Sequence, residues 1–159
     1  MPDLDFESVE AHPTATARLR YVPLPLAGAQ RYQWKALLVL AALARCRGNS
    51  ATVPQLHTLV WAISDERNGE RFTRAWASSG PQPFRGYTPD LLQILRVTQA
   101  EGLVEQQNSG RQKLTPTGRS ILDLLAKEAG SSAIPGTILD SYSPMTTLAM
   151  NKFLGGDFS

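Results

Sequence analysis

The sequence predicts a mainly α-helical protein with one small β-hairpin. Apolar residues recur at the i, i+3, i+4, i+7 spacing of a helix face in several segments. Between two of these segments, two short apolar runs flank the turn sequence Asn108-Ser109-Gly110, a pattern typical of a hairpin. The 159 residues, 42% of them hydrophobic and 19% charged, suit one globular domain with a real core.

The first two predicted helices carry most of the expected core. Apolar side chains cover nearly every side of residues 32–47, which predicts a buried central helix that ends at Gly48. Thr52 and Gln55 have the spacing of a capping box. Four apolar residues starting at Leu56 then form one helix face, so a second helix packs on the first.

Two further helical segments precede the hairpin. Residues 64–78 are rich in charge, which predicts an amphipathic extension with a solvated face. A third core helix is predicted over residues 88–101, with Thr88 as its cap and Pro89 at its first position. Its expected inner face consists of Leu91, Leu92, Ile94, Leu95 and Thr98.

The hairpin leads into a fourth helix. Its expected strands are residues 103–107 and 111–114, and the second strand returns antiparallel to the first. Thr115 and Pro116 then repeat the combination of cap and proline that opens the third core helix.

Composition divides the chain into three parts. Residues 1–31 are acidic and then proline-rich, which predicts an extended N-terminal arm with one short strand at 18–22. Residues 32–128 form the expected domain. Residues 129–159 are expected to be a linker and a C-terminal helical tail, whose helix opens at the Ser-Pro pair 143–144.

The order of these elements is that of a winged helix-turn-helix domain. In that fold, the third helix is presented to a partner and the hairpin forms a wing. The strongest local support is the segment 101–104, a turn and an apolar strand directly after a helix, followed about ten residues later by the segment 114–118.

A nucleic acid and a protein both remain open as the partner of the third helix. The residues able to contact a nucleic acid are Arg85, Gln93, Arg96, Arg111 and Lys113. Against DNA binding, Asp90 and Glu101 bracket the helix, Arg96 is its single basic residue, and the net charge of the chain is only +2. A solvated polar face and a protein-docking face are the alternatives.

Apolar and aromatic residues outside the core helices are the expected anchors of a protein interface. They are Tyr21, Leu24, Trp76, Phe84, Tyr87, Tyr142 and Phe153. Aromatic anchors dominate interface energetics, but simple packing against the domain explains the same residues equally well.

Nothing in the sequence indicates an enzyme. His12 has no second ligand or nucleophile at a plausible spacing, and His57 lies between core leucines as a structural histidine would. We find no zinc-ligand cluster, phosphate loop or nucleophile elbow, so no catalytic residue, metal, cofactor or small-molecule substrate is expected. The single Cys46 predicts a buried, inert thiol in a reducing cytoplasm. No apolar run approaches the ~20 residues that span a bilayer.

Several short segments together resemble a known family. They are Leu56-His57, Trp61-Ala62-Ile63, Asp65-Glu66-Arg67-Asn68, Tyr87-Thr88-Pro89-Asp90-Leu91 and the segments 101–104 and 114–118. Over roughly residues 32–128, the chain resembles the middle components of bacterial ABC-three-component systems, found in Lamassu-like anti-phage defence operons.

The resemblance implies a function as an adaptor. It implies a small winged-helix subunit that associates with an SMC-type ATPase, which senses DNA, and with an effector, often a nuclease. DNA contact would then come through the complex. The alternative that the residues leave open is an autonomous winged-helix DNA-binding transcriptional regulator that uses Arg96, Arg111 and Lys113.

Overall fold

The structure is a computed structural model that describes residues 28–78 and 86–155. Contacts divide the chain into two units, residues 1–31 and residues 32–159. Of the first unit, the structure describes only residues 28–31, which begin the first helix. The strand expected at 18–22 therefore lies outside the described residues.

Helices dominate the described part of the chain. They are α1 (Gly28–Ala44), α2 (Val53–Ser64), α3 (Glu66–Ala77), α4 (Leu91–Ala100), α5 (Pro116–Ala129) and α6 (Thr147–Leu154). The strands are β1 (Ser50–Ala51), β2 (Val104–Gln106) and β3 (Gln112–Leu114). Short 3-10 turns occupy Arg47–Asn49, Ser131–Ala133 and Thr137–Tyr142. The mainly helical prediction is confirmed.

The strands form one antiparallel sheet in the order β1-β3-β2. In β2 and β3, Val104 lies opposite Leu114 and Gln106 opposite Gln112, as in the predicted hairpin. The strand β1 pairs with the other edge of β3 and was not predicted. It is only two residues long, too short to show the alternation that marks a strand in a sequence.

The core forms around α1, as its sequence predicts. Residues 38–43 of α1 are almost completely buried. The helices α2 and α3 pack closely on one another. Phe72 of α3 is completely buried, and Gly69 lies beside Ile138, so this charged helix has a firmly packed inner face.

Two predicted helix caps are present, and one is not. Thr52 and Gln55 form the reciprocal bonds of a capping box at the start of α2. The Thr115 hydroxyl accepts the Gly118 N–H at the start of α5. At Thr88 the prediction is wrong, because α4 begins at Leu91 and its cap residue is Asp90. The Thr88 side chain instead bonds to α2.

The C-terminal segment lies in the unit of residues 32–159 and contributes side chains to the core. Its buried side chains are Leu139, Met145, Met150, Phe153 and Leu154. Arg47 donates its N–H to the Met145 carbonyl, and Met145 donates its own to the Arg45 carbonyl. The last helix begins after Thr146, later than the Ser-Pro pair that was expected to open it.

Candidate functional site: the exposed face of helix α4

Helix α4 buries one side and leaves the other open to solvent. Leu91, Ile94, Leu95 and Thr98 are buried. The residues on its opposite side are exposed, and we call them the α4 face: Leu92, Gln93, Arg96, Val97 and Ala100. Leu92 is 57% exposed and Val97 is 42% exposed. This face therefore combines apolar and polar side chains.

Leu92 corrects the predicted inner face of this helix. Residues advance by about 100° around a helix, so Leu92 lies on the opposite side of Leu91 from Ile94. The four buried residues span about 100° of the helix circumference, and Leu92 falls outside that arc. The i, i+3, i+4, i+7 spacing of the buried residues starts at Leu91, and Leu91 rather than Leu92 is the buried member of the pair.

The segment before α4 is held by His57 of α2. Thr88 donates its backbone N–H to Nδ1 of His57 (3.2 Å) and its hydroxyl to the His57 carbonyl (2.9 Å). Tyr87 stacks on the imidazole with ring centroids 4.9 Å apart and an angle of 13° between the ring planes. Three contacts with one histidine thus fix where α4 begins.

Two further contacts support this position. Gly86 packs tightly against α2, because a Cβ built there would lie 3.0 Å from the Trp61 ring. Lys35 of α1 pairs with Asp90 at 3.4 Å on the surface. The α4 face is therefore presented on a helix tied to both α1 and α2.

His57 has a structural role, as the sequence predicts. Partial burial lowers the pKa of its imidazole below the ordinary value of 6.5. The Thr88 N–H requires an unprotonated Nδ1, so the ring that fits this site is neutral with its proton on Nε2.

The predicted basic residues of the hairpin are not presented at its tip. Arg111 donates from Nε to the Ser50 hydroxyl and from Nη2 to the Ser50 carbonyl, both at 2.9 Å. These bonds direct the guanidinium back across the sheet to β1. Lys113 lies in the central strand, directly opposite Glu105.

The tip of the hairpin is a shallow depression without a basic side chain. Its lining residues are Glu105, Gln106, Gln107, Asn108 and Ser109. A phosphate needs cationic or donor groups that converge on it, and an acidic carboxylate at this site opposes an anion. The hairpin therefore offers little for a DNA backbone.

Three predicted interface aromatics lie in an internal cluster. Phe72, Trp76, Tyr142 and Phe153 contact one another with ring centroids 5.0–6.3 Å apart. Phe153 is buried and Trp76 and Tyr142 are half-buried, so these three rings pack within the protein. Tyr87 is the exception, since 66% of it is exposed. Tyr21, Leu24, Phe84 and Arg85 lie outside the described residues.

Neither a metal centre nor a reactive thiol is formed by the described residues. Within 28–78 and 86–155, no group of three or more potential ligands among His, Cys, Asp and Glu is placed to hold a metal. Burial raises the pKa of the Cys46 thiol to about 12. A thiol needs its thiolate form to react, so Cys46 is inert near neutral pH. Across the same residues, every helix is too short or too polar to cross a bilayer.

Comparison with known protein families, with curated proteins and with solved structures finds no match.

Proposed function

We propose that the protein is a non-enzymatic winged-helix adaptor subunit of a bacterial anti-phage defence complex, acting in the cytoplasm. It would link an SMC-type ATPase to an effector nuclease through protein contacts. The order of three helices, α4, hairpin and α5 supports the winged-helix assignment. The family resemblance over residues 32–128 supports the assembly.

The observation that carries this proposal is the α4 face. Leu92 and Val97 are apolar and exposed on a helix whose start is fixed by His57 and Lys35. An apolar surface on a pre-positioned helix loses little conformational entropy when it is covered, so it favours docking. Tyr87, stacked and exposed, adds an aromatic group of the type that interfaces use.

An autonomous DNA-binding regulator is less well supported. Its three expected contacts were Arg96, Arg111 and Lys113. Of these, only Arg96 is exposed, Arg111 is bonded to β1, and Lys113 is half-buried opposite Glu105. One cation is too few for the phosphate contacts on which duplex binding by a recognition helix depends.

Co-expression with the flanking genes tests the adaptor. The tagged protein is expected to co-purify with an SMC-type ATPase in a fixed ratio. The double variant L92Q/V97Q keeps the charge but removes two apolar side chains, each worth about 1.5–3 kcal/mol when fully buried. We therefore expect its affinity for the ATPase or effector to fall at least tenfold, measured with the purified subunits.

Leu124 of α5 offers a matched control, because it is 58% exposed and lies on another helix. The L124Q variant should bind as the wild type does. A protein that elutes as a free monomer without an ATPase would refute the adaptor. Loss of binding in L124Q but not in L92Q/V97Q would move the docking surface to α5.

A further inference from the structure

Helix α3 carries three arginines on one side of its surface. Arg67, Arg71 and Arg74 fall within an arc of about 60° around the helix axis, and all three are exposed. We call them the α3 arginine row. Glu66 and Glu70 occupy the adjoining arc, so the exposed side of α3 is divided into a basic edge and an acidic edge.

The row has no anionic partner within the described part of the protein. None of its guanidinium groups forms an ion pair there, although Glu70 and Arg74 have the i, i+4 spacing at which such pairs form. The Arg71 guanidinium lies over the Trp61 ring, 5.4 Å from its centroid. This contact with α2 holds the middle arginine at the surface and leaves its charge unneutralised.

Helix stability does not explain the whole row. Arg67 is the second residue of α3, where the positive end of the helix dipole disfavours a cation. Its backbone N–H is capped by Asp65, but its side chain has no contact that would favour arginine over a neutral residue. An anionic ligand would account for a cation at this position.

We propose that the α3 arginine row binds the phosphate backbone of duplex DNA without reading its sequence. The row is about 10 Å long, since seven residues rise about 1.5 Å each. One strand of a duplex presents a phosphate about every 3.4 Å along its axis, so the length of the row corresponds to about three such intervals. The guanidinium fork also matches phosphate geometry.

The acidic edge determines on which side the strand lies. Glu66 and Glu70 repel phosphates, so the strand follows the arginine side of α3. A repeating anion fits a straight row of like charges better than an acidic protein surface, whose charges follow no fixed spacing. This inference is independent of the proposed adaptor function, because it uses another helix and needs no partner protein.

The test is a salt titration of DNA binding by the full chain alone. Binding of a labelled random-sequence duplex is measured by fluorescence anisotropy between about 50 and 200 mM salt. Three phosphate contacts contribute about 2.7 to the steepness of log K against log salt, at about 0.9 each. The variant R67Q/R71Q/R74Q should have a slope shallower by about 2 to 3 and bind at least tenfold more weakly at the lowest salt.

Further variants separate charge from folding. R67Q/R74Q keeps the contact between Arg71 and Trp61 and should reduce the slope by about 1.8. E66Q/E70Q should bind DNA as well as the wild type or better, and L92Q/V97Q should leave DNA binding unchanged. The proposal is overturned if the wild type does not bind the duplex, or if the arginine variants bind with the wild-type slope. If the arginine variants instead lose binding to a protein partner while their DNA binding stays intact, the proposal is also overturned, and the row is assigned to an acidic protein.

Discussion

At the scale of single residues, Gly118 shows why a glycine stands inside a helix. It is buried in α5, and a Cβ there would lie 2.7 Å from Cδ1 of Leu114 and closer still to the Leu103 carbonyl oxygen. That oxygen already accepts the Thr115 N–H at 3.1 Å. The close approach of α5 to the hairpin therefore needs the absence of a side chain.

Gly118→Ala should destabilise the protein by about 1–3 kcal/mol, the usual cost of overpacking. The direction of the stability change is informative, because alanine in an ordinary helix interior is more stabilising than glycine by about 1 kcal/mol. At Gly118, the atom that a Cβ would meet first belongs to the backbone, which moves little. Urea denaturation gives the free energy of unfolding.

The matched control for this prediction is Ser120→Ala, an exposed change on the same helix, with an expected effect within about 0.5 kcal/mol. A stabilised G118A protein would show that the helix can move away from the hairpin at no cost.

At the scale of elements, the contact between α2 and the start of α4 contains a titratable group. The His57 imidazole accepts the Thr88 N–H and stacks on Tyr87 in its neutral form. Its pKa is lowered in the folded state by partial burial. Folding therefore favours the neutral ring, and the unfolded chain takes up the proton first as the pH falls.

We expect the free energy of unfolding to decrease as the pH falls below about 6.5, the unfolded pKa of histidine, toward the lower folded value. His57→Phe keeps an aromatic ring against Tyr87 but cannot titrate. The difference in stability between the wild type and this variant should narrow from pH 7.5 to pH 5, as measured by urea denaturation at both values.

The control is the His57→Phe variant itself, because a phenylalanine at position 57 cannot take up a proton. A folded-state pKa of His57 above 6.5 in an NMR titration would contradict the sign of this prediction.

At the scale of the whole molecule, the C-terminal segment completes the core. Arg45 has a side chain only 10% exposed, and its Nε pairs with Asp140 at 2.8 Å. Its Nη1 donates to the Ala41 carbonyl at 3.0 Å. Further along the segment, Asn151 accepts a hydrogen bond from the buried Gln55 side chain at 3.0 Å. Polar and apolar contacts both join this segment to α1 and α2.

A chain that ends at Gly130 should fail to unfold cooperatively. It lacks five buried side chains of the core, each worth about 1.5–3 kcal/mol, against a typical total stability of about 5–15 kcal/mol. Thermal melting followed by circular dichroism tests this expectation. A chain that ends at Gly155 keeps all five and should melt as the full chain does. A cooperative transition in the shorter chain would mean that residues 1–130 fold without the C-terminal segment.

Elements whose signals are local can be predicted from the sequence. The α1 core helix, the Thr52 capping box, the Thr115 cap and the hairpin turn each depend on residues close together in the chain, so periodicity and capping rules find them. The structural histidine at 57 and the buried Cys46 also followed from their apolar neighbours.

Features that depend on contacts between residues far apart in the chain are seen in the folded protein alone. Arg111 bonds to Ser50, Thr88 bonds to His57 instead of capping α4, and Trp76 packs on Phe153. Each pairing joins residues about 30 or more positions apart, and no local pattern encodes the choice of partner. The exposed surfaces that remain, the α4 face and the α3 arginine row, are set by which sides of their helices the core covers.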